Sequence, residues 1–232
     1  MKKIITYFSA GEIALWFSSV CVIIISFLLF SGSDYLSLIA SLVGVTSLIF
    51  LAKGNPFGNV LMIVFSILYM VISYTFSYYG EMITYIGMTA PMSLFALISW
   101  LKNPFEKSKK SQVKVSRLTK KGLVGGLLLT AVVTFIFFFI LNALGTANLV
   151  PSTISVATSF FAAYLTFLRT PYFPLAYAAN DVVLIVMWIM ASATDKSYIS
   201  VIICFIVFLV NDLYGYISWK RMEKRQKARS VL

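Results

Sequence analysis

Two asparagine–aspartate pairs, Asn180-Asp181 and Asn211-Asp212, are the residues of this chain best placed to do chemistry. The other acidic residues fall at the ends of apolar stretches or in polar connections, whereas Asp181 and Asp212 lie inside them. Each pair stands about eight residues from a polar boundary, hence roughly 12 Å deep at about 1.5 Å per helical residue. A carboxylate at such depth in a bilayer costs at least ~2.5 kcal/mol, so it persists only beside water or a partner. Three uses fit. The groups could tie helices together, hold a polar solute by accepting hydrogen bonds from ribose hydroxyls or a carboxamide, or coordinate a proton or sodium ion. No Lys or Arg within the stretches is available to neutralise them, which favours the solute.

Helical spacing supplies aromatic companions. Trp188 lies seven residues after Asp181, and Tyr216 and Trp219 lie four and seven after Asp212, so each set shares a helix face. A ring beside a carboxylate suits a flat, positively charged heterocycle, with a cation–π contribution of about 0.5–2 kcal/mol. Corresponding positions in the first half fall near Phe65-Ser66 and Met92-Ser93, with Tyr69 one turn beyond Ser66. The expected substrate-binding set is therefore Asn180, Asp181, Trp188, Asn211, Asp212, Tyr216, Ser66 and Tyr69. Trp100 and Trp219, at the ends of their stretches, read as interfacial anchors. Pro91 should kink its helix and could supply a hinge; Glu81, at the outer mouth, could attract cations there but reads by default as a solvated surface charge.

The elements that must position these residues are eight apolar stretches near 12–30, 34–53, 57–78, 81–101, 122–143, 149–168, 172–193 and 197–219. Each is about the 20 residues that a helix needs to cross a ~30 Å hydrocarbon core. All but one of the 19 Lys and Arg residues fall on the same side if the stretches alternate; Lys196 is the exception. Basic loops stay in the cytoplasm, so both termini are expected there, in a bacterial plasma membrane. That distribution also accounts for the formal net charge of +11 without nucleic acid. Histidine is absent, Cys21 and Cys204 lie within stretches as apolar packing residues, and no nucleophile has an evident base. Neither an enzyme nor a cofactor or metal site is expected. The expected partners are a small-molecule substrate and the lipid bilayer, with homo-oligomer formation left open.

The chain also repeats itself. Pro56 has a counterpart in Pro171, 115 positions on, and Ile98-Ser99-Trp100 recurs as Ile217-Ser218-Trp219, 119 positions on. With matching boundaries and charges, this predicts an internal duplication in parallel orientation. Residues 1–101 form the first repeat of four spans, 102–121 a solvated basic linker, 122–219 the second repeat and 220–232 a basic tail.

Asn211-Asp212-Leu213-Tyr214-Gly215-Tyr216-Ile217-Ser218-Trp219 resembles the N/D-x-Y-G-x-x-x-W ending of the Pnu vitamin transporters, the PnuC-type family. The segments Tyr79–Tyr85 and Tyr177–Asp181 look like its Gram-positive branch, and the resemblance covers roughly residues 34 to 221. It implies a SWEET-like fold of three helices, a linker helix and three more, to which residues 12–30 add an N-terminal span. It also implies uptake of a vitamin-type nucleoside by facilitated diffusion, with a cytoplasmic kinase trapping the solute. Nicotinamide riboside is the leading candidate, and a deoxyribonucleoside or thiamine is the alternative. The first half carries Ser93-Leu94-Phe95-Ala96 where the motif would recur, so the second half carries the match. A membrane subunit that does not itself transport is the reading from another class.

Overall fold

The computed structural model describes residues 7–32, 34–75, 79–106, 109–146, 148–193 and 195–229. Lys2, Lys3 and Lys107, which contribute to the charge bias, lie outside them. Among the described residues, eight helices are long and apolar enough to cross a membrane. They are α1 (Ala10–Phe30), α2 (Tyr35–Ala52), α3 (Phe57–Thr75), a broken fourth span, α6 (Lys120–Ala143), α7 (Leu149–Phe167), α8 (Phe173–Ser192) and α9 (Ile199–Arg229). The fourth span comprises α4 (Tyr79–Thr84), a π-turn (Tyr85–Thr89) and α5 (Ala90–Lys102). Large apolar side chains such as Leu28, Leu29, Leu128, Phe135 and Val150 face outward, as lipid contact requires.

Pro91 accounts for the break. It occupies the first turn of α5, where its missing N–H costs no hydrogen bond, and the turn before it widens until the Ala90 N–H reaches the Tyr85 carbonyl. The expected kink thus takes the form of one π-turn.

Six helices close into a ring. Going round it, α2 packs on α3, α3 on the fourth span, the fourth span on α7, α7 on α8, α8 on α9, and α9 on α2. The two remaining helices sit outside: α1 against α2 and α9, and α6 against α7. Glu12 pins α1 at the basic end. It completes a capping box with Ser9, pairs with Lys53 at 3.1 Å and accepts from the Tyr214 hydroxyl at 2.9 Å.

Trp100 and Trp219 are not interfacial anchors. Both are fully buried in the middle of the ring's basic end, 5.3 Å apart, with Phe173 4.9 Å from Trp219. Their contacts are reciprocal. The Trp100 indole donates to Thr166 O and Ser99 to Phe167 O, while the Trp219 indole donates to Leu51 O and Ser218 to Ala52 O, all at 2.8 Å. Thr166 and Phe167 stand 115 positions after Leu51 and Ala52. Each half therefore donates side-chain hydrogen bonds to the end carbonyls of a helix in the other. Beyond both capped helices the chain turns through a left-handed residue, Gly54 (φ 67°) and Arg169 (φ 59°), again 115 apart.

The described residues of the basic segment expected as a solvated linker instead pack across this end. Strands β1 (Pro104–Glu106) and β2 (Lys109–Val113) form an antiparallel hairpin. At its end the Val113 N–H bonds Gly54 O (2.9 Å), and past it the Ser116 N–H bonds Arg169 O (2.9 Å). Gln226 donates to Val113 O (2.9 Å) and accepts from the Val115 N–H (2.8 Å). That contact is available because α9 continues as a helix to Arg229, ten residues past its expected end. At ~1.5 Å per residue α9 is roughly 46 Å long, well beyond the ~30 Å of hydrocarbon. The Lys-rich composition hid an apolar alternation: Val113 is fully buried, and Val115 and Leu118 pack on the same core.

Candidate functional site

The ring encloses a cavity of about 120 Å³ to which all six of its helices contribute. α8 supplies the most polar wall, with Tyr177, Asn180, Asp181 and Trp188, and α9 adds Phe205, Phe208 and Asp212. Facing them are Gly44 and Leu48 of α2, Met62 and Phe65 of α3, and Glu81, Thr84, Tyr85 and Thr89 of the fourth span. From α7 come Ser152, Ser155 and Ser159. Their spacing of three and four residues places all three hydroxyls on one helical face. Gly44 is there because α2 passes close to two rings. A Cβ at that position would meet Phe208 at 2.6 Å and Phe65 at 2.9 Å.

The carboxyls of Asp181 and Asp212 make a side-chain contact with each other, and both residues are about 95% buried. Two full negative charges would oppose that contact; one proton or a bound cation relieves it. Asp181 Oδ2 is buried and meets no donor among the described residues. The Asn180 amide is oriented by Thr158, whose hydroxyl donates to Asn180 Oδ1 at 2.7 Å. Among the described residues no Lys or Arg lines the cavity. None of them forms a cluster of three His, Cys, Asp or Glu side chains fit to hold a metal. The site presents acceptors, an amide, hydroxyls and rings, without a countercharge of its own.

Half of the expected site residues meet here and half do not. Asn180, Asp181, Trp188 and Asp212 line the cavity. Asn211 points the other way, donating to Ser19 Oγ on α1 and to Val207 O, both at 2.9 Å. Consecutive helical residues diverge by about 100°, so Asp212 and Asn211 part company on α9. Tyr216 is half-buried against Tyr172, 6.3 Å between centroids, away from the cavity. Ser66 spends its hydroxyl on Met62 O at 2.8 Å, one turn back in α3. Tyr69 is buried among Phe65 and Tyr85 and borders a separate small void near Cys204. The serines of α7 were missed although their 152, 155, 159 spacing was readable. Thr84, Tyr85 and Thr89 of the fourth span were missed because their facing depends on the π-turn; Glu81 was placed at the outer mouth and lines the cavity as well.

Towards the end away from the basic loops, the cavity continues into a vestibule of about 340 Å³ lined by Tyr79, Gly80, Leu144, Gly145, Asn148 and Ala191. Glu81, Thr146, Ser152, Met187 and Trp188 line both spaces and form the neck between them. In the opposite direction two helical turns separate Asp212 from Trp219, and the Trp100–Trp219–Phe173 cluster fills the space beneath.

The sequence profile of the family described as Nicotinamide mononucleotide transporter matches residues 34–221, from the start of α2 into α9. The nicotinamide riboside transporter PnuC of Neisseria mucosa is 25% identical over 199 residues, covering 84% of this chain and 76% of that protein. Its counterpart in Haemophilus influenzae is 23% identical over 192 residues, covering 83% and 82%. A solved structure described as the crystal structure of the vitamin B3 transporter PnuC superposes with a TM-score of 0.80 over 94% of both chains, at 22% identity. It shares this fold. With most of its length matched by the family profile, and its fold shared with the solved PnuC structure, the chain belongs to the Nicotinamide mononucleotide transporter family, that of the PnuC proteins.

Proposed function

We propose that this protein takes up nicotinamide riboside across the bacterial plasma membrane, as its PnuC relatives are named for doing. The observation that carries the choice of solute is the contact between Asp181 and Asp212 in a cavity with no lining cation. Nicotinamide riboside is a pyridinium nucleoside. Its fixed positive charge relieves the carboxyl pair, its carboxamide and ribose hydroxyls meet Asn180 and the α7 serines, and its ring meets Tyr85 or Phe208. The mononucleotide fits worse. A phosphate about 5 Å from a carboxylate meets repulsion of roughly 3 kcal/mol per charge pair at an effective dielectric of ~20, with no Lys or Arg to offset it.

The basic end faces the cytoplasm, so the vestibule opens outward and the Trp100–Trp219 cluster is the inner closure. Residues 1–101 and 122–219 act as two halves that rock about the cavity, spanned by 102–121 and followed by the tail at 220–232. No second solute, energy source or catalytic step is needed, and movement down the gradient makes the protein a uniporter. The test is uptake by purified protein in liposomes. Asp181→Asn and Asp212→Asn should each lower nicotinamide riboside uptake about tenfold or more, the loss of one charge-assisted contact, with melting temperature maintained. Excess thiamine should compete and thymidine should not. Full uptake by both variants would place the solute elsewhere.

A further inference from the structure

Most acidic residues of this chain have a structural task. Glu12 pairs with Lys53, Glu106 with Arg229, and Glu223 with Lys220 and Lys227. Asp34 and Asp195 accept backbone N–H groups at helix starts, from Ser37 and Ser197. Asp181 and Asp212 face each other in the cavity. That leaves Glu81. Among the described residues it forms no ion pair, caps nothing, and lines both the cavity and the vestibule.

Its position is fixed from two sides. α4 begins at Tyr79, and Gly80 packs so close to the Leu141 and Thr146 side chains that a Cβ there would force one of them to shift. The π-turn at 85–89 then sets which face α4 turns inward. Across the same opening Trp188 lines both spaces from α8, its ring held 5.1 Å from that of Tyr198. A carboxylate and an indole lining one opening form a pairing suited to a flat cation: charge attracts it from the vestibule, and the ring quadrupole favours its passage.

We propose that Glu81 and Trp188 form a cation-selecting neck, distinct from the cavity carboxyls, which every solute must pass. This selection rests on the proposed riboside uptake and adds a second point of discrimination to it. A neutral nucleoside gains nothing from the carboxylate, and a nucleotide is opposed by it before it reaches Asp181.

The test compares nicotinamide riboside with its 1,4-dihydro form, nearly the same outline without the charge, in liposomes holding purified protein. Glu81→Gln should raise the KM for the cation roughly five- to tenfold with little change in maximal rate, and leave inhibition by the dihydro form unchanged. Glu81→Asp should restore most of the difference, and Trp188→Leu should reduce it from the opposite wall. Equal losses for both ligands in Glu81→Gln would show a structural role and overturn the proposal, as would wild-type kinetics. Should Glu81→Gln fail to fold, Trp188→Leu decides on the same criterion. Wild-type protein that moves no nicotinamide riboside would overturn the uptake reading itself, whereas normal wild-type uptake with no charge-dependent effect at the neck would overturn only this inference.

Discussion

Ser99 and Trp100 show how much a residue's neighbours in space can differ from its neighbours in sequence. At the end of a span, an indole flanked by basic residues has the signature of a membrane-interface anchor, and both tryptophans carry it. The structure gives them the opposite environment because each indole N–H finds a helix-end carbonyl in the other half that accepts it beside a backbone N–H of its own turn. Trp219→Phe should keep most of the ring packing and remove one buried hydrogen bond. The expected loss is about 1–2 kcal/mol, read by unfolding in mixed micelles. Trp100→Phe should cost about the same, and the double variant should depart from additivity because the two rings are in contact. Asp181 and Asp212 were legible from sequence because a deep carboxylate is expensive wherever it points. Asn211 was not, because its amide is equally at home in a cavity or bonded to Ser19 across a helix contact. Serine is cheaper still to place in a helix, so Ser152, Ser155 and Ser159 gave no comparable signal.

At the scale of elements, span number and length were readable because a bilayer imposes both, and most of the observed helices begin and end within a few residues of expectation. The fourth span departs in its internal geometry. Pro91 announced a distortion, but not that it would be a π-turn, and one residue of extra backbone rotates the helix before it by about 100° relative to the helix after it. Glu81, Thr84 and Tyr85 reach the cavity with that rotation in place. Pro91→Ala supplies an N–H for the Gly87 carbonyl and removes the ring, permitting a continuous α-helix. A regularised helix would turn α4 away from the cavity while leaving α5 and its Trp100 cap in position. The expected outcome is an equal or higher melting temperature with sharply reduced uptake. Loss of both together would mean that the π-turn serves stability instead.

At the scale of the whole molecule, the ring is held at its basic end by a segment whose composition pointed to solvent. Net charge argued for a linker, and net charge describes side chains, whereas this segment is held largely through its backbone. The Val113 and Ser116 amides bind carbonyls at the two left-handed turns, Gly54 in one half and Arg169 in the other, and Gln226 closes the set from the extended end of α9. Arg169 adds a cross-link, its guanidinium donating to Ser99 Oγ at 2.7 Å while partial burial lowers its pKa from the ordinary value. A strap bonded to both turns resists their separation, and separation of those turns is what opening the basic end of the ring, the proposed inner end, demands. Gln226→Ala removes two hydrogen bonds from one residue and exposes the Val115 N–H and Val113 carbonyl. Amide hydrogen exchange should then accelerate over 112–116 while the ring helices stay protected. Uptake should rise or hold if opening limits the cycle, because less must be broken to reach the inward-open state. Exchange that accelerates through α2 and α7 as well would mean that the strap is part of the fold's global stability and not a separable latch.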